Sequence, residues 1–145
     1  MATSIQIVFD SADPGRQSRF WAEALHYKLE PPPVGFSTWS EWARAQAIPE
    51  ERWNDWAAVV DPDGSGPRLY FQRVPEGKVA KNRVHLDLDV GGGSKTPIEE
   101  RKARIGAEVA RLKALGAGDH RGAIEEDGEF WVRMNDPEGN EFCIQ

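Results

Sequence analysis

A four-residue turn stated twice constrains this chain more than any other feature. Residues 56–72 read Trp-Ala-Ala-Val-Val-Asp-Pro-Asp-Gly-Ser-Gly-Pro-Arg-Leu-Tyr-Phe-Gln, and residues 131–145 read Trp-Val-Arg-Met-Asn-Asp-Pro-Glu-Gly-Asn-Glu-Phe-Cys-Ile-Gln. Each is a strand, an Asp-Pro-acid-Gly turn at Asp61 or Asp136, and a second strand. Proline presets φ at the first central position of a β-turn, the acidic side chain bonds back to the chain, and glycine accepts positive φ. A second copy in register, near the end of the other half, predicts duplicated modules.

The segments ahead of the two hairpins repeat as well. Ile5-Gln6-Ile7 and Val84-His85-Leu86 hold equivalent places in a first strand, and Ala24-Leu25-His26 mirrors Ala114-Leu115-Gly116 at a helix end. The first helix opens on Asp13-Pro14, an acceptor at the N-cap followed by proline where a missing N–H costs nothing. Phe20, Trp21, Ala24 and Leu25 give it one apolar stripe. The second opens on Thr96-Pro97-Ile98-Glu99, which reads as a capping box. Its stripe is Ile98, Ile105, Val109, Leu112 and Leu115, stopped by Gly116. His26 stands where Gly116 does, so a capping role is expected of it. The pattern predicts α+β: strands near 4–9, 28–32, 56–61, 68–74, 83–90, 119–125, 129–135 and 141–145, helices over 14–26 and 97–115, and helical turns inside 38–54.

Composition excludes more than it names. The 145 residues form one domain, with modules of about 1–78 and 79–145, long enough to bury about 70% of the unfolded chain's surface. A net charge of −6 argues against nucleic acid, which needs clustered Lys and Arg. Apolar runs are far short of a membrane span, no basic-then-apolar leader opens the chain, and one cysteine, Cys143, fits a reducing cytoplasm. Gly91-Gly92-Gly93-Ser94 lacks the spacing and lysine of a phosphate loop.

Residues 36–55 break the symmetry. Phe36, Trp39, Trp42 and Trp53 sit there among polar residues, with no counterpart in the second half. Trp39, Trp42 and Ala43 have helical spacing, and Pro49-Glu50-Glu51 starts another turn. Two readings stand: the tryptophans cover the sheet or a partner subunit, or they form an aromatic lid over a ligand.

Four stretches together resemble a known family. They are 20–27 (Phe-Trp-Ala-Glu-Ala-Leu-His-Tyr), 84–88 (Val-His-Leu-Asp-Leu), 108–112 with Leu115-Gly116-Ala117, and 136–142 (Asp-Pro-Glu-Gly-Asn-Glu-Phe). The chain resembles the vicinal oxygen chelate superfamily of glyoxalase, bleomycin-resistance and extradiol-dioxygenase proteins, most closely its glyoxalase-like branch of the actinobacterial type. The resemblance covers all but the Trp-rich insertion. It implies two βαβββ modules whose mixed sheets form a cup around a ligand cavity. In metal-using relatives four side chains on the concave faces hold one divalent cation; carried onto this chain, those positions are Gln6, Tyr70, His85 and Cys143, with Gln72 on the same strand face as Tyr70.

That set is poor in the imidazoles and carboxylates that Mn²⁺, Fe²⁺, Ni²⁺ and catalytic Zn²⁺ prefer. No metal and no other cofactor is therefore expected, and the four positions, with Gln72 and Asp87 nearby, should converge on one pocket that binds an unidentified small molecule. Strand alternation agrees: Ile5, Ile7 and Phe9 oppose Gln6, Val8 and Asp10, and Val84, Leu86 and Leu88 oppose His85, Asp87 and Asp89. The apolar sets should pack under the helices.

His85 has two readings. It is either a histidine bonded within the sheet to Asp87, Tyr70 or Gln6, or a cavity residue that orients a ligand or shuttles a proton, since free imidazole titrates near neutrality. His120 faces either the cup or solvent. Cys143 is not expected to act as a nucleophile, because no positive charge adjoins it in sequence and apolar neighbours raise a thiol's pKa. Two functions remain open. One is a metal-free binding protein of the bleomycin-resistance type, for which the acidic balance and six tryptophans suggest a cationic or aromatic ligand. The other is a lyase, isomerase or dioxygenase with His85 as the catalytic general base or a metal ligand. Edge strands and the Trp-rich segment suggest a homodimer.

Overall fold

The repeat predicted from the two turns is carried through to topology. The structure, a computed structural model, describes residues 1–145. The chain divides into two compact units, Met1–Gly77 and Lys78–Gln145. The first contains β1 (Gln6–Ser11), α1 (Pro14–Leu25), β2 (Lys28–Leu29), α2 (Trp39–Ala45), a 3-10 turn (Glu50–Arg52), β3 (Trp56–Val60) and β4 (Arg68–Arg73). The second contains β5 (Asp87–Leu88), α3 (Ile98–Ala114), β6 (Gly118–Glu126), β7 (Glu129–Asn135) and β8 (Glu141–Ile144). Each unit builds a four-stranded mixed sheet, ordered β1-β4-β3-β2 in one and β5-β8-β7-β6 in the other. In both, the first strand runs parallel to the last and the hairpin is antiparallel. This is the α+β class expected.

The turns form as their chemistry requires. Asp61 accepts from the backbone N–H of Asp63, Ser65 and Gly66 at 2.7–3.0 Å, and Asp136 accepts from those of Glu138 and Asn140, each at 2.9 Å. Gly64 and Gly139 take φ of +70° and +86°. The helix ends match too. His26 adopts the left-handed conformation with φ 55°, and Tyr27 N–H reaches Ala22 O at 2.8 Å; Gly116, φ +109°, and Ala117 N–H to Leu112 O at 3.0 Å repeat the closure. Even a side-chain pair recurs: Gln72 Nε2 donates to Asp10 at 2.8 Å, and Gln145 Nε2 to Asp89 at 2.9 Å.

Each sheet turns one face to a helix. Val59, Leu69 and Phe71 pack with Phe20, Trp21 and Ala24 of α1, all buried. In the second unit Val132, Met134, Phe142 and Ile144 meet Ile105 and Leu112 of α3. Of the stripes predicted from helical spacing, Phe20, Trp21, Ala24, Ile105 and Leu112 are core, whereas Leu25, Ile98 and Val109 are half-buried and Leu115 is 39% exposed.

Four expectations are corrected. The strand at 28–32 is only Lys28–Leu29, because Pro31-Pro32-Pro33 has no N–H to donate beyond the Glu30 N–H to Ala58 O bond. The strand at 83–90 shrinks to Asp87–Leu88. Its only neighbour, β8, begins at Glu141, and there the Glu141 carboxylate takes the Asn82 N–H at 3.0 Å in place of a backbone partner. Val84, outside that short strand, and Ile5, just before β1, stand 82% and 71% exposed and pack under no helix. Thr96 does not cap α3: its hydroxyl donates to Gly92 O at 2.9 Å, and Pro97 occupies the cap with no side-chain bond. Glu99 and Glu100 still favour that helix start electrostatically.

Candidate functional site

Strand register assembles the second unit's polar face. β5 sets Asp87 beside Cys143, and β7 sets Arg133 on the other side of Cys143. His85, two residues before Asp87, reaches back so that its Nδ1 lies 2.7 Å from Asp87 Oδ1. One ligand atom from each of His85, Asp87 and Cys143 falls within 4.8 Å of the others. These side chains line a cavity of about 780 Å³, with Trp131 and Phe130 as aromatic wall and Lys81, Arg133 and His120 as further polar groups. His120 thus faces the cavity. A bulge between Asp119 and Gly122, with Arg121 at φ 59°, accompanies that strand's change of register.

Asp87 is the hub. Its carboxylate bonds the His85 ring and lies near enough to the Cys143 thiol for a hydrogen bond to act on it. Burial, then the Asp87 charge and that hydrogen bond, push the thiol up to about 11, against the weaker pull of Arg133 and Lys81. Cys143 therefore stays protonated and unreactive at neutral pH, as expected from its neighbours. Its alkylation by iodoacetamide should rise only with a midpoint near 11, and Asp87→Asn should bring that midpoint down toward the ordinary thiol value. An ordinary midpoint in the parent protein would contradict the arrangement.

Glu141, at the cavity edge, is held by different forces. Burial raises its carboxyl pKa, but the Asn82 N–H, its own N–H and Lys78 Nζ at 3.1 Å together bring it down to about 2. Arg101 pairs with Glu129, whereas Arg133 makes no salt bridge and its buried Nε has no partner. The lining nonetheless stays acidic, Asp87, Asp89, Glu129 and Glu141 against Lys81, Arg101 and Arg133, so Arg133 is a local cation in an acidic cavity.

The first unit holds the other expected residues on one sheet face. The β1–β4 register pairs Gln6 with Arg68, Val8 with Tyr70 and Asp10 with Gln72. Gln6 Oε1 accepts from Arg68 Nη1 at 2.7 Å, and the Arg68 guanidinium lies 5.1 Å over the Tyr70 ring. Gln72 is bonded to Asp10. Arg133, Trp131 and Glu141 were not singled out in the sequence, although the alternation Trp131-Arg133-Asn135 against Val132-Met134 marks Trp131 and Arg133 as sharing a face.

The metal set implied by metal-using relatives does not fit these residues. At two of its four positions, Gln6 offers its only oxygen to a guanidinium and Tyr70 lies beneath the same cation, which would repel a second one. His85, Asp87 and Cys143 bring three donors close, but His85 Nδ1 is bonded to Asp87, and a metal would have to displace the proton the Cys143 thiol holds in its absence.

Comparison with known proteins agrees on the fold. The chain covers 96% of itself and 94% of a glyoxalase/bleomycin resistance protein/dioxygenase family enzyme from Burkholderia phytofirmans, at 14% identity and TM-score 0.61. A glyoxalase-related enzyme from Fulvimarina pelagi aligns over 99% and 87%, at 14% identity and TM-score 0.61. A fosfomycin resistance protein from Listeria monocytogenes, solved with manganese(II) and a dihydroxypropylphosphonic acid, aligns over 100% and 90%, at 12% identity and TM-score 0.61. No curated protein matches the chain. Residues 6–145 match the model of the glyoxalase-like domain, and with that match over nearly its whole length the chain belongs to the glyoxalase-like domain family.

Proposed function

We propose that this protein binds a small organic molecule against the polar face of the second unit's sheet, without a resident metal and with His85 as the orienting group. The cavity of about 780 Å³ carries this reading: it combines an aromatic wall with the few convergent polar groups that fix a ligand's orientation. Asp87 holds His85 through Nδ1, which leaves Nε2 as the atom for a ligand. Arg133, lacking an ion pair, favours a ligand with an anionic or strongly accepting group at that end. Gln6, Tyr70 and Gln72 belong to the proposal as ligand-facing residues of the first unit's sheet.

A second reading rests on the His85–Asp87 contact. A carboxylate that fixes one imidazole nitrogen orients the other as a general base. The same cavity would then serve a lyase, isomerase or dioxygenase step in the manner of the superfamily.

A homodimer and a cytoplasmic location are part of the proposal. Val8 and Leu29 stand 47% and 51% exposed, apolar surface that a second copy could cover. No helix is long and apolar enough to cross a membrane. Native mass spectrometry of protein from its own host tests ligand and dimer together. The expected result is twice the 16.2 kDa chain with an organic adduct; a bare monomer would contradict it.

A further inference from the structure

The tryptophans of this chain are distributed unevenly. Trp21 is buried at 1% exposure in the core, and Trp131 lines the second unit's cavity. The remaining four, Trp39, Trp42, Trp53 and Trp56, all line one cavity of about 400 Å³ in the first unit, and none is fully buried. A stretch that only covered a sheet would bury such rings, because indole surface is among the largest apolar area a residue can remove from water.

The rings are held as walls. Trp39 Nε1 donates to Glu30 O at 2.7 Å and Trp53 Nε1 to Ile48 O at 2.9 Å, so their polar edges are satisfied within the protein. Trp39 and Trp42 meet edge to face at 5.4 Å. The insertion therefore presents aromatic surface to a space of the size small ligands occupy.

Charge decides the ligand class. Arg44 lies 4.9 Å over Trp53, and Arg68 lies 5.1 Å over Tyr70, which also lines the cavity. The chain's own guanidiniums already occupy two of the ring faces a cationic ligand would seek. Arg68 is offset by Glu30 through two hydrogen bonds of 2.8 and 2.6 Å. Arg19, also in the lining, makes no salt bridge; the Asp13 carboxylate acts on it from farther off and is itself bonded to Arg16 N–H and Asn54 Nδ2. The lining is thus positive by one charge, Arg19 and Arg68 against Glu30.

We propose that this first-unit cavity is a binding site for a planar aromatic carboxylate, its rings between the indoles and its carboxylate on Arg19. The inference concerns residues of the first unit alone and goes beyond the reading of the His85 cavity.

Three probes of one shape test it on the full chain: naphthalene-carboxylate, naphthalene-carboxamide and naphthylmethylammonium, titrated calorimetrically and by indole N–H resonances. The carboxylate should bind one-to-one, shift the Trp39 and Trp53 signals, and exceed the amide by at least about tenfold. The ammonium should be weakest. Arg19→Gln, an exposed position whose loss leaves the fold intact, should reduce the carboxylate to the level of the amide. Equal binding of acid and amide, preference for the ammonium, unmoved indole signals or an unaffected Arg19→Gln variant would each overturn the proposal.

Discussion

Trp21→Ala is expected to destabilise the protein by about 4 kcal/mol, since emptying a fully buried aromatic site costs about 3–5 kcal/mol. Trp21 is 1% exposed, and its ring meets Phe9 at 5.2 Å and Phe20 at 5.5 Å. Removing it opens a void between α1 and the sheet it covers, and the flanking rings lose contacts worth about 0.5–1.5 kcal/mol per aromatic pair. Such a loss is a large part of the 5–15 kcal/mol, roughly, that holds a domain of this size. Urea unfolding followed by circular dichroism reads it directly. A change below about 1 kcal/mol, the range of exposed positions, would mean that α1 is not seated as described.

His85→Ala is expected to do the reverse, disabling the site while leaving stability alone. The His85 side chain is 41% exposed and its one partner is Asp87, so the unfolding free energy should change by no more than about 0.5 kcal/mol. A hydrogen bond to a charged or strongly polar ligand group is worth about 1.5–3 kcal/mol, which is about 10- to 150-fold in affinity. The organic adduct expected on the parent protein should therefore vanish from the variant's native mass spectrum. Full occupancy in a folded His85→Ala protein would remove His85 from the site.

The outcome for the sequence was uneven, for physical reasons. Elements specified by local chemistry were readable: the Asp-Pro-acid-Gly turns, the Asp13-Pro14 helix start, the αL closure at His26 and the apolar stripes of α1 and α3. Each depends on residues within one turn of each other. The losses came where a distant partner decides. Strand β5 is short because its sheet neighbour β8, far along the chain, begins only at Glu141, so the residues before 85 have no strand to pair with. The Thr96 hydroxyl went to a loop carbonyl rather than a helix N–H. At the site, alternation put His85 and Asp87 on one face, but the role of Asp87 as hub for both His85 and Cys143 follows from the β5–β8 register, which spacing alone does not reveal. The whole-chain charge suggested a cationic or aromatic ligand; it could not show Arg133, on which the proposed preference for an accepting group rests.

The central claim is that the second unit's cavity serves an organic ligand rather than a resident metal ion. Calorimetric titration of the parent protein and His85→Ala with Zn²⁺, Mn²⁺ and Ni²⁺ tests it most directly. Because an ion would have to displace both the His85–Asp87 hydrogen bond and the thiol proton, every ion should bind more weakly than about 10 μM, far from the 10–16 kcal/mol or so of a built zinc site. One equivalent bound with nanomolar affinity in the parent protein, and lost in His85→Ala, would contradict the account.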